Sequence, residues 1–381
     1  MSSGTQADGS SARVHDGERV ARISAPGNLL VCGEYAVLEP GGLGIAVATH
    51  PRTVAEVRPA RWDAVRCRMG GDAEHVFVPG QPVTDETRLP ATCVAYLERY
   101  QLMERPLNAE ITLDSSAFFH NDGSKRGLGS SAAATVVCTA ALLHAGGLAP
   151  AEARRILHEH AGPIHREFQH GHGSGYDVLV STAGGGGLFR GGPSPSLTPL
   201  DLRWLRGALV AKANHAVRTA GAARSFKRWK HTASHEARTL LERSNMLVSE
   251  LAAADSREKA LPILERLAEL GIALGERIGV SAALPPALCA EAERTIGGPA
   301  TGVGDPAPGK TELPPGRASA ESGSAVLCKA IGAGNELALC VPRSDTPAEL
   351  ALEPLAHDTI QPLRIASEGV SWDSSHHPGT P

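Results

Sequence analysis

The order of apolar patterns along the chain predicts an α+β fold in two domains. Residues 20–57 alternate short apolar runs with glycine and proline, the pattern of strands and hairpins. Residues 223–297 instead place Leu240, Leu241, Leu247, Val248 and Leu251 at helical spacings of three, four and seven. Strand-like "SAVLCKAIG" and "ELALCVP" then return. At 381 residues the chain exceeds what one core usually fills, about 250–300 residues. The simplest division falls near 201–214, with an N-terminal domain over 19–205 and a C-terminal domain over 206–370. Residues 1–18 are expected to form a disordered lead-in and residues 371–381 a disordered tail.

The elements follow in order. "PGGLGIAVATH" is a turn running into a strand, "ATCVAYLERYQL" has helical spacing, and "NAEITLD" is a second strand. "NDGSKRGLGSSAAATVVCTAALLHAGG" is a polar loop that enters some fifteen small or apolar residues, with Gly146 and Gly147 as the helix stop. A further helix spans Pro150 to Phe168, with Glu152 in its first turn. "GGGGLFRGG" and "GALVAKAN" bracket the next strand region. Residues 298–323 are rich in Gly, Pro and Ser and read as a flexible loop. A short helix and a last strand near Leu363 close the chain.

Composition excludes several classes of function. A net charge of -4 leaves no basic footprint for nucleic acid or an anionic membrane. No apolar run reaches the ~18 residues of a membrane helix, and the first twenty residues lack the apolar core of a signal peptide. The seven cysteines are scattered, without a CxxC pair, as expected of buried thiols in a reducing compartment; the cytoplasm is the expected location. The 16 histidines, among them His165, His170 and His172, show no H-E-x-x-H spacing and read as surface or core residues.

Two segments compete as a phosphate loop. "GDPAPGKT", Gly304 to Thr311, matches the pattern GxxxxGK(S/T), yet no strand precedes it. Pro314 and Pro315 stop any helix behind it, and Pro306 and Pro308 remove two amides that phosphates would use. The other segment is "GSKRGLGSSAAATVV". Gly127 and Gly129 allow positive φ or close backbone approach, Ser130 and Ser131 stand at a helix start, and the helix dipole favours an anion there. A capped helix after a loop would carry the same serines.

At these residues the chain resembles the GHMP kinases. "GLGSSAA" resembles the family's central phosphate-binding motif, "APGNLLVCGEYAVLEPGGLGIAVA" its N-terminal motif, "GSGYDV" the stretch holding its catalytic Asp, and "CKAIGAGNELALCV" its C-terminal glycine motif. The resemblance covers about residues 20–370. It implies the GHMP kinase two-domain fold, with a left-handed β-α-β unit in the N-terminal domain and a ferredoxin-like C-terminal domain. Within the family, "GEYAVLEPG" resembles the phosphomevalonate kinase branch. That branch implies transfer of the ATP γ-phosphoryl group to 5-phosphomevalonate, a small-molecule substrate, giving 5-diphosphomevalonate and ADP in isoprenoid biosynthesis. No nucleic-acid or membrane partner is implied, and the chain is expected as a monomer or homodimer.

The resemblance also implies roles. Gly127, Leu128, Gly129, Ser130, Ser131 and Ala132 would cradle ATP, with Ser131 offering its hydroxyl to Mg²⁺. Asp177 would face the acceptor phosphate as base or electrostatic orienter; on the residues alone it is equally a helix N-terminal Asp. Tyr35, Ser174, Ser225, Lys227, Gly332, Ala333 and Gly334 would lie around the substrate, and Lys125, Arg126, Arg224, Arg228 and Lys230 are further candidate cations. Two positions depart from the pattern. Asn28 stands where the family has Lys, with Lys212 or Lys227 as possible substitutes. In "GAGNELAL", Asn335 and Glu336 occupy glycine-like positions. A kinase acting on mevalonate or a sugar, and a non-catalytic metabolite-binding relative, are the alternatives.

Overall fold

The computed structural model describes residues 20–69, 73–213, 219–280, 282–297, 324–331, 337–344 and 360–374. These build two sheets and eight helices among the described residues, an α+β architecture.

The first sheet is organised by two long strands, β1 (Ala21–Cys32) and β2 (Leu43–Pro59), where the sequence pattern predicted several short ones. Register shifts at Pro26/Gly27 and Leu30/Cys32 explain the difference. The proline and glycine sit in bulges that bend a strand without ending it. β2 is long enough to pair β6 (Gly186–Arg190) through Leu43–Val47 and β5 (Ala109–Asp114) through Val54–Pro59. β5 pairs in parallel with β3 (Ala64–Arg68), which pairs with β4 (Glu74–Phe77); β7 (Ser196–Pro199) extends β6. In β5, Ala109, Ile111 and Leu113 are buried and the intervening residues are half-exposed, as a pleat with one covered face requires.

Helices cover that face. α2 (Ser130–Ala145) is buried continuously from Ala132 to Leu143, so it is the central helix rather than a surface one. α1 (Arg88–Arg99), α3 (Pro150–Phe168) and α4 (Tyr176–Ala183) pack around it. α3 has the bounds its sequence pattern predicts.

The second sheet runs β11-β8-β10-β9, all antiparallel, from β8 (Leu209–Lys212), β9 (Val326–Ile331), β10 (Leu337–Pro342) and β11 (Ile360–Pro362). α8 (Pro286–Gly297) sets Leu288 and Ala292 against Leu209, Ala211 and Ala338. α6 (Ser234–Ala252) and α7 (Arg257–Ile278) set Leu247, Leu251, Leu264 and Leu267 against Val210 and Leu339. α5 (Thr219–Thr232) precedes them. Leu29, Ile45 and Leu128 join that same cluster, so one apolar core runs between the two sheets.

Residues 371–374, expected in the disordered tail, form β12 (Ser371–Ser374) on the outer side of β1. The Arg52 guanidinium holds the approach to it, donating to the carbonyls of Glu368 (3.1 Å), Gly369 (2.6 Å) and Ser24 (3.1 Å). Backbone pairing to a long first strand is not visible in a polar C-terminal sequence. The flexible loop expected over 298–323, the "GDPAPGKT" match and the expected lead-in lie outside the described residues.

Candidate active site

The loop Gly127–Gly129 enters α2 at Ser130. Gly129 is the N-cap, with φ 74°, a conformation that side chains rarely adopt. A Cβ there would also lie 2.3 Å from the Asn28 side-chain nitrogen. Gly27 is equally constrained, since a Cβ would fall 2.3 Å from the Leu128 carbonyl oxygen. The two glycine motifs are thus in backbone contact, and the Asn28 amide donates to Leu128 O at 3.0 Å. The free N–H groups of the first turn of α2 and its dipole face the loop, a ready site for an anion.

The Asn28 side chain is buried, and both hydrogens of its Nδ2 are used. One goes to Gly129 O at 3.2 Å and the other to Ser181 Oγ on α4 at 3.1 Å. Position 28 therefore carries no cation. It is a neutral clamp that joins β1, the N-cap of α2 and the body of α4.

Asp177 stands in the first turn of α4, behind the N-cap Gly175 (φ 90°). Its Oδ1 accepts from the Val178 amide at 2.9 Å, and its Oδ2 lies 3.2 Å from His165 Nε2. Its side chain keeps 21% exposure, against 2% for His165. Burial pushes the Asp177 carboxyl up, but the His165 charge and hydrogen bond, with the Val178 amide, outweigh it and hold the group below the usual carboxylate range. On its other side, His165 Nδ1 lies 2.8 Å from Thr135 Oγ1, and the Thr135 hydroxyl donates to Ser131 O at 2.8 Å. Two buried routes therefore join the first turns of α2 to α4: Gly129–Asn28–Ser181 and Ser131–Thr135–His165–Asp177.

Sequence reasoning singled out Asp177, Gly127–Ala132 and Ser131, and the fold brings these together. It missed the contributions of His165, Thr135 and Ser181. The signal for His165 was a titratable residue inside the apolar stripe Ala161, Ile164, His165, Phe168; for Thr135 it was a hydroxyl one turn behind Ser131 in the apolar run of α2, a position it shares in kind with Thr139.

Other predicted residues lie elsewhere or in other company. Tyr35 is 5% exposed, with φ 64°, and its ring stacks on Phe226 at 5.2 Å in a cluster with Leu274 and Ile278. Ser174 is half-buried just before the α4 N-cap. Ser225 accepts from Arg228 at 3.2 Å, and Lys227 is exposed on α5. Lys230 is bound to Glu39. Lys212 reaches Ser124 Oγ at 3.3 Å, beside the phosphate loop. A cleft opens beside Glu39, Lys230, Arg238 and Asn245. Gly332, Ala333 and Gly334, with Asn335 and Glu336, lie outside the described residues.

A second buried ion pair links the motifs from the other side. Lys329 of β9 binds Glu34, and its Nζ also donates to Ala330 O at 2.9 Å. Burial and the Glu34 charge push the neighbouring Cys32 thiol up to about 12, with Lys329 opposing. All seven cysteines are free thiols, and among the described residues no cluster of three or more His, Cys, Asp or Glu is arranged to hold a metal ion.

A glycine loop thus opens α2, and the Asp177 carboxylate stands in the first turn of a second helix, α4. Residues 89–185 match the family model of the GHMP kinases N terminal domain, and the chain is similar to that family there. Within it, the similarity runs to phosphomevalonate kinases. The enzyme of that name from Saccharolobus solfataricus is 31% identical over 165 residues, 43% of this chain and 47% of that protein. The one from Streptomyces sp. (strain CL190) is 30% identical over 188 residues, 44% and 49% of the two chains. The matched region thus spans about half the length of these curated relatives. Solved structures share the fold across most of the chain. A Lin0012 protein from Listeria innocua has a TM-score of 0.68 at 18% identity, covering 93% of this chain and 100% of that one. The Streptococcus pneumoniae phosphomevalonate kinase in complex with phosphomevalonate and AMPPNP has 0.61 at 16%, covering 85% and 92%. A D-glycero-D-manno-heptose 1-phosphate kinase from Bacteriodes thetaiotaomicron has 0.59 at 13%, covering 93% and 99%. Among the described residues, no helix is long and apolar enough to cross a membrane.

Proposed function

We propose that this chain transfers the γ-phosphoryl group of ATP to the phosphate of 5-phosphomevalonate. The observation that carries the proposal is the Asp177 carboxylate, held in its ionised form and tied through His165 and Thr135 to Ser131 in the first turn of α2, while a second buried route joins Gly129 through Asn28 to Ser181 of the same helix as Asp177. Phosphoryl transfer asks the protein mainly for positioning and charge neutralisation. The backbone around Gly127–Ser131 cradles the nucleotide phosphates at the positive end of α2.

The state of Asp177 favours a phosphate acceptor. A hydroxyl acceptor must lose a proton, and a carboxylate held below its ordinary range is a weak base for that task. An acceptor phosphate is already anionic near neutral pH and needs orientation instead. Asp177 therefore acts as an orienter, with Ser174 and Lys227 assigned to the acceptor side.

Mg²⁺ suits the oxygen donors present. It keeps few protein ligands and binds largely through substrate phosphates, so Ser131 Oγ would be its protein ligand. When bound, the ion supplies neutralisation of phosphate charge.

A second reading, a metabolite-binding relative without turnover, rests on Asn28, whose side-chain hydrogens are both spent on Gly129 and Ser181. One assay separates the two: ADP release with 5-phosphomevalonate, mevalonate, homoserine and galactose in turn. Turnover is expected with 5-phosphomevalonate alone. ATP binding without turnover on any of the four would leave the second reading standing, and turnover on another acceptor would reassign the substrate.

A further inference from the structure

We propose that His165 is a positioning residue of the transfer reaction, fixing the Asp177 carboxylate from behind and linking it through Thr135 to the first turn of the phosphate-loop helix. The proposal rests on the assignment of Asp177 to the acceptor side.

Hydrogen-bond direction carries the argument. The Ser131 carbonyl can only accept, so the single hydrogen of the Thr135 hydroxyl is committed to it at 2.8 Å. Thr135 Oγ1 then meets His165 Nδ1 as an acceptor, and Nδ1 must donate across the 2.8 Å contact. Nε2 faces Asp177 Oδ2 at 3.2 Å and the Gln169 side-chain nitrogen at 2.8 Å; a carboxylate can only accept, so Nε2 donates to Asp177 when the Gln169 amide turns its oxygen toward the ring. In that arrangement both ring nitrogens donate, and the ring is an imidazolium. The groups around it are Asp177 from α4, Thr135 from α2, and Gln169 and Phe168 from its own helix; the Gln169 amide lies 2.8 Å from Nε2 and the Phe168 ring centroid 6.0 Å away.

The placement is expensive unless it is used. A leucine would fill the same space, where His165 is only 2% exposed, without the desolvation of a charge. What the histidine adds is direction and balance. It leaves the carboxylate one orientation, and its positive charge offsets the repulsion that a bare carboxylate would exert on an anionic acceptor. Because the far end of the chain is the Ser131 carbonyl, the carboxylate and the phosphate loop are held to one another rather than separately to the core.

The test uses the full chain and steady-state kinetics with ATP and 5-phosphomevalonate. His165→Leu is expected to lower kcat about 100-fold, the scale of lost outer-shell orientation, while both KM values stay within about threefold. His165→Gln, which keeps one donor, is expected to recover part of that loss. The double variant H165L/D177N is expected to be no slower than D177N. A normal kcat in H165L, or losses that multiply in the double variant, would overturn the proposal. If H165L does not fold, H165Q and Thr135→Val carry the same test: T135V is expected to lower kcat about five- to tenfold, and wild-type kcat in both would be fatal to it. Should the unmodified chain show no turnover, the substrate assignment fails by itself. The His165 link is then judged by imidazole ¹⁵N shifts: a protonated Nε2 whose signal moves in D177N supports it, and an unprotonated or unmoved Nε2 rejects it.

Discussion

The two most buried ion pairs among the described residues, Asp177–His165 and Glu34–Lys329, have opposite designs. In the first, the histidine is buried while the carboxylate keeps 21% exposure. In the second, both partners are enclosed, at 12% and 3%, and the ammonium is also bound to a backbone carbonyl. The first pair is open on its acidic side and can meet a ligand. The second spends its charge internally, joining the turn after β1 to the second sheet. Charge at a reaction site must be held and still reachable, whereas charge at a junction need only be satisfied, and exposure of the acid separates the two roles.

The largest effect expected follows from that openness. Asp177→Asn should lower kcat about 10³-fold or more, roughly 4 kcal/mol of transition-state stabilisation, with nucleotide affinity within about threefold of wild type. Near-normal turnover would remove Asp177 from the mechanism and erase the contrast. The closed pair should register in stability: Lys329→Met alone strands a buried carboxylate and should cost about 3–5 kcal/mol in urea unfolding, much of it recovered in E34L/K329M. A single variant as stable as wild type would show that Glu34 finds water. Asn28→Ala should cost about 1–3 kcal/mol, since it leaves Ser181 and the Gly129 carbonyl without their donor; an unchanged unfolding midpoint would mean water replaces the clamp.

A smaller signature lies in acid. The folded-state pKa of Asp177 is depressed, so its contribution to stability is present above its unfolded value, about 3.9, and is lost as pH falls through the lower folded value. D177N should flatten that part of the acid-unfolding curve, and an unchanged slope would contradict the pairing. The smallest effect is expected at the other phosphate-loop match: Lys310→Ala should leave ATP affinity unchanged by isothermal titration, because proline-rich flanks cannot supply the amides and helix that such a loop needs. A tenfold loss would move the nucleotide site.

Legibility in the sequence followed periodicity and local chemistry. α3 and α2 were visible because helical spacing, Pro150 at the start and Gly146 at the stop are local signals. Asp177 and Gly127–Ser131 were visible because their motifs are contiguous. The two long strands were not, because a bulge looks like a turn when only Pro26 and Gly27 are seen. β12 was not, because its strand character comes from β1, some 350 residues away in sequence. Asn28 looked like a lost cation; its work as a clamp depends on Gly129 and Ser181, which no spacing rule places beside it.

By itself, then, the sequence determined the α+β class, the glycine loop that opens α2 and the acid in the first turn of α4, since glycine φ, helix caps and apolar period act over a few residues. Only the tertiary structure decided which polar side chains hold that acid. His165, Thr135 and Asn28 lie on three separate elements, and each becomes part of the site through burial: once away from water, their donors and acceptors must find one another.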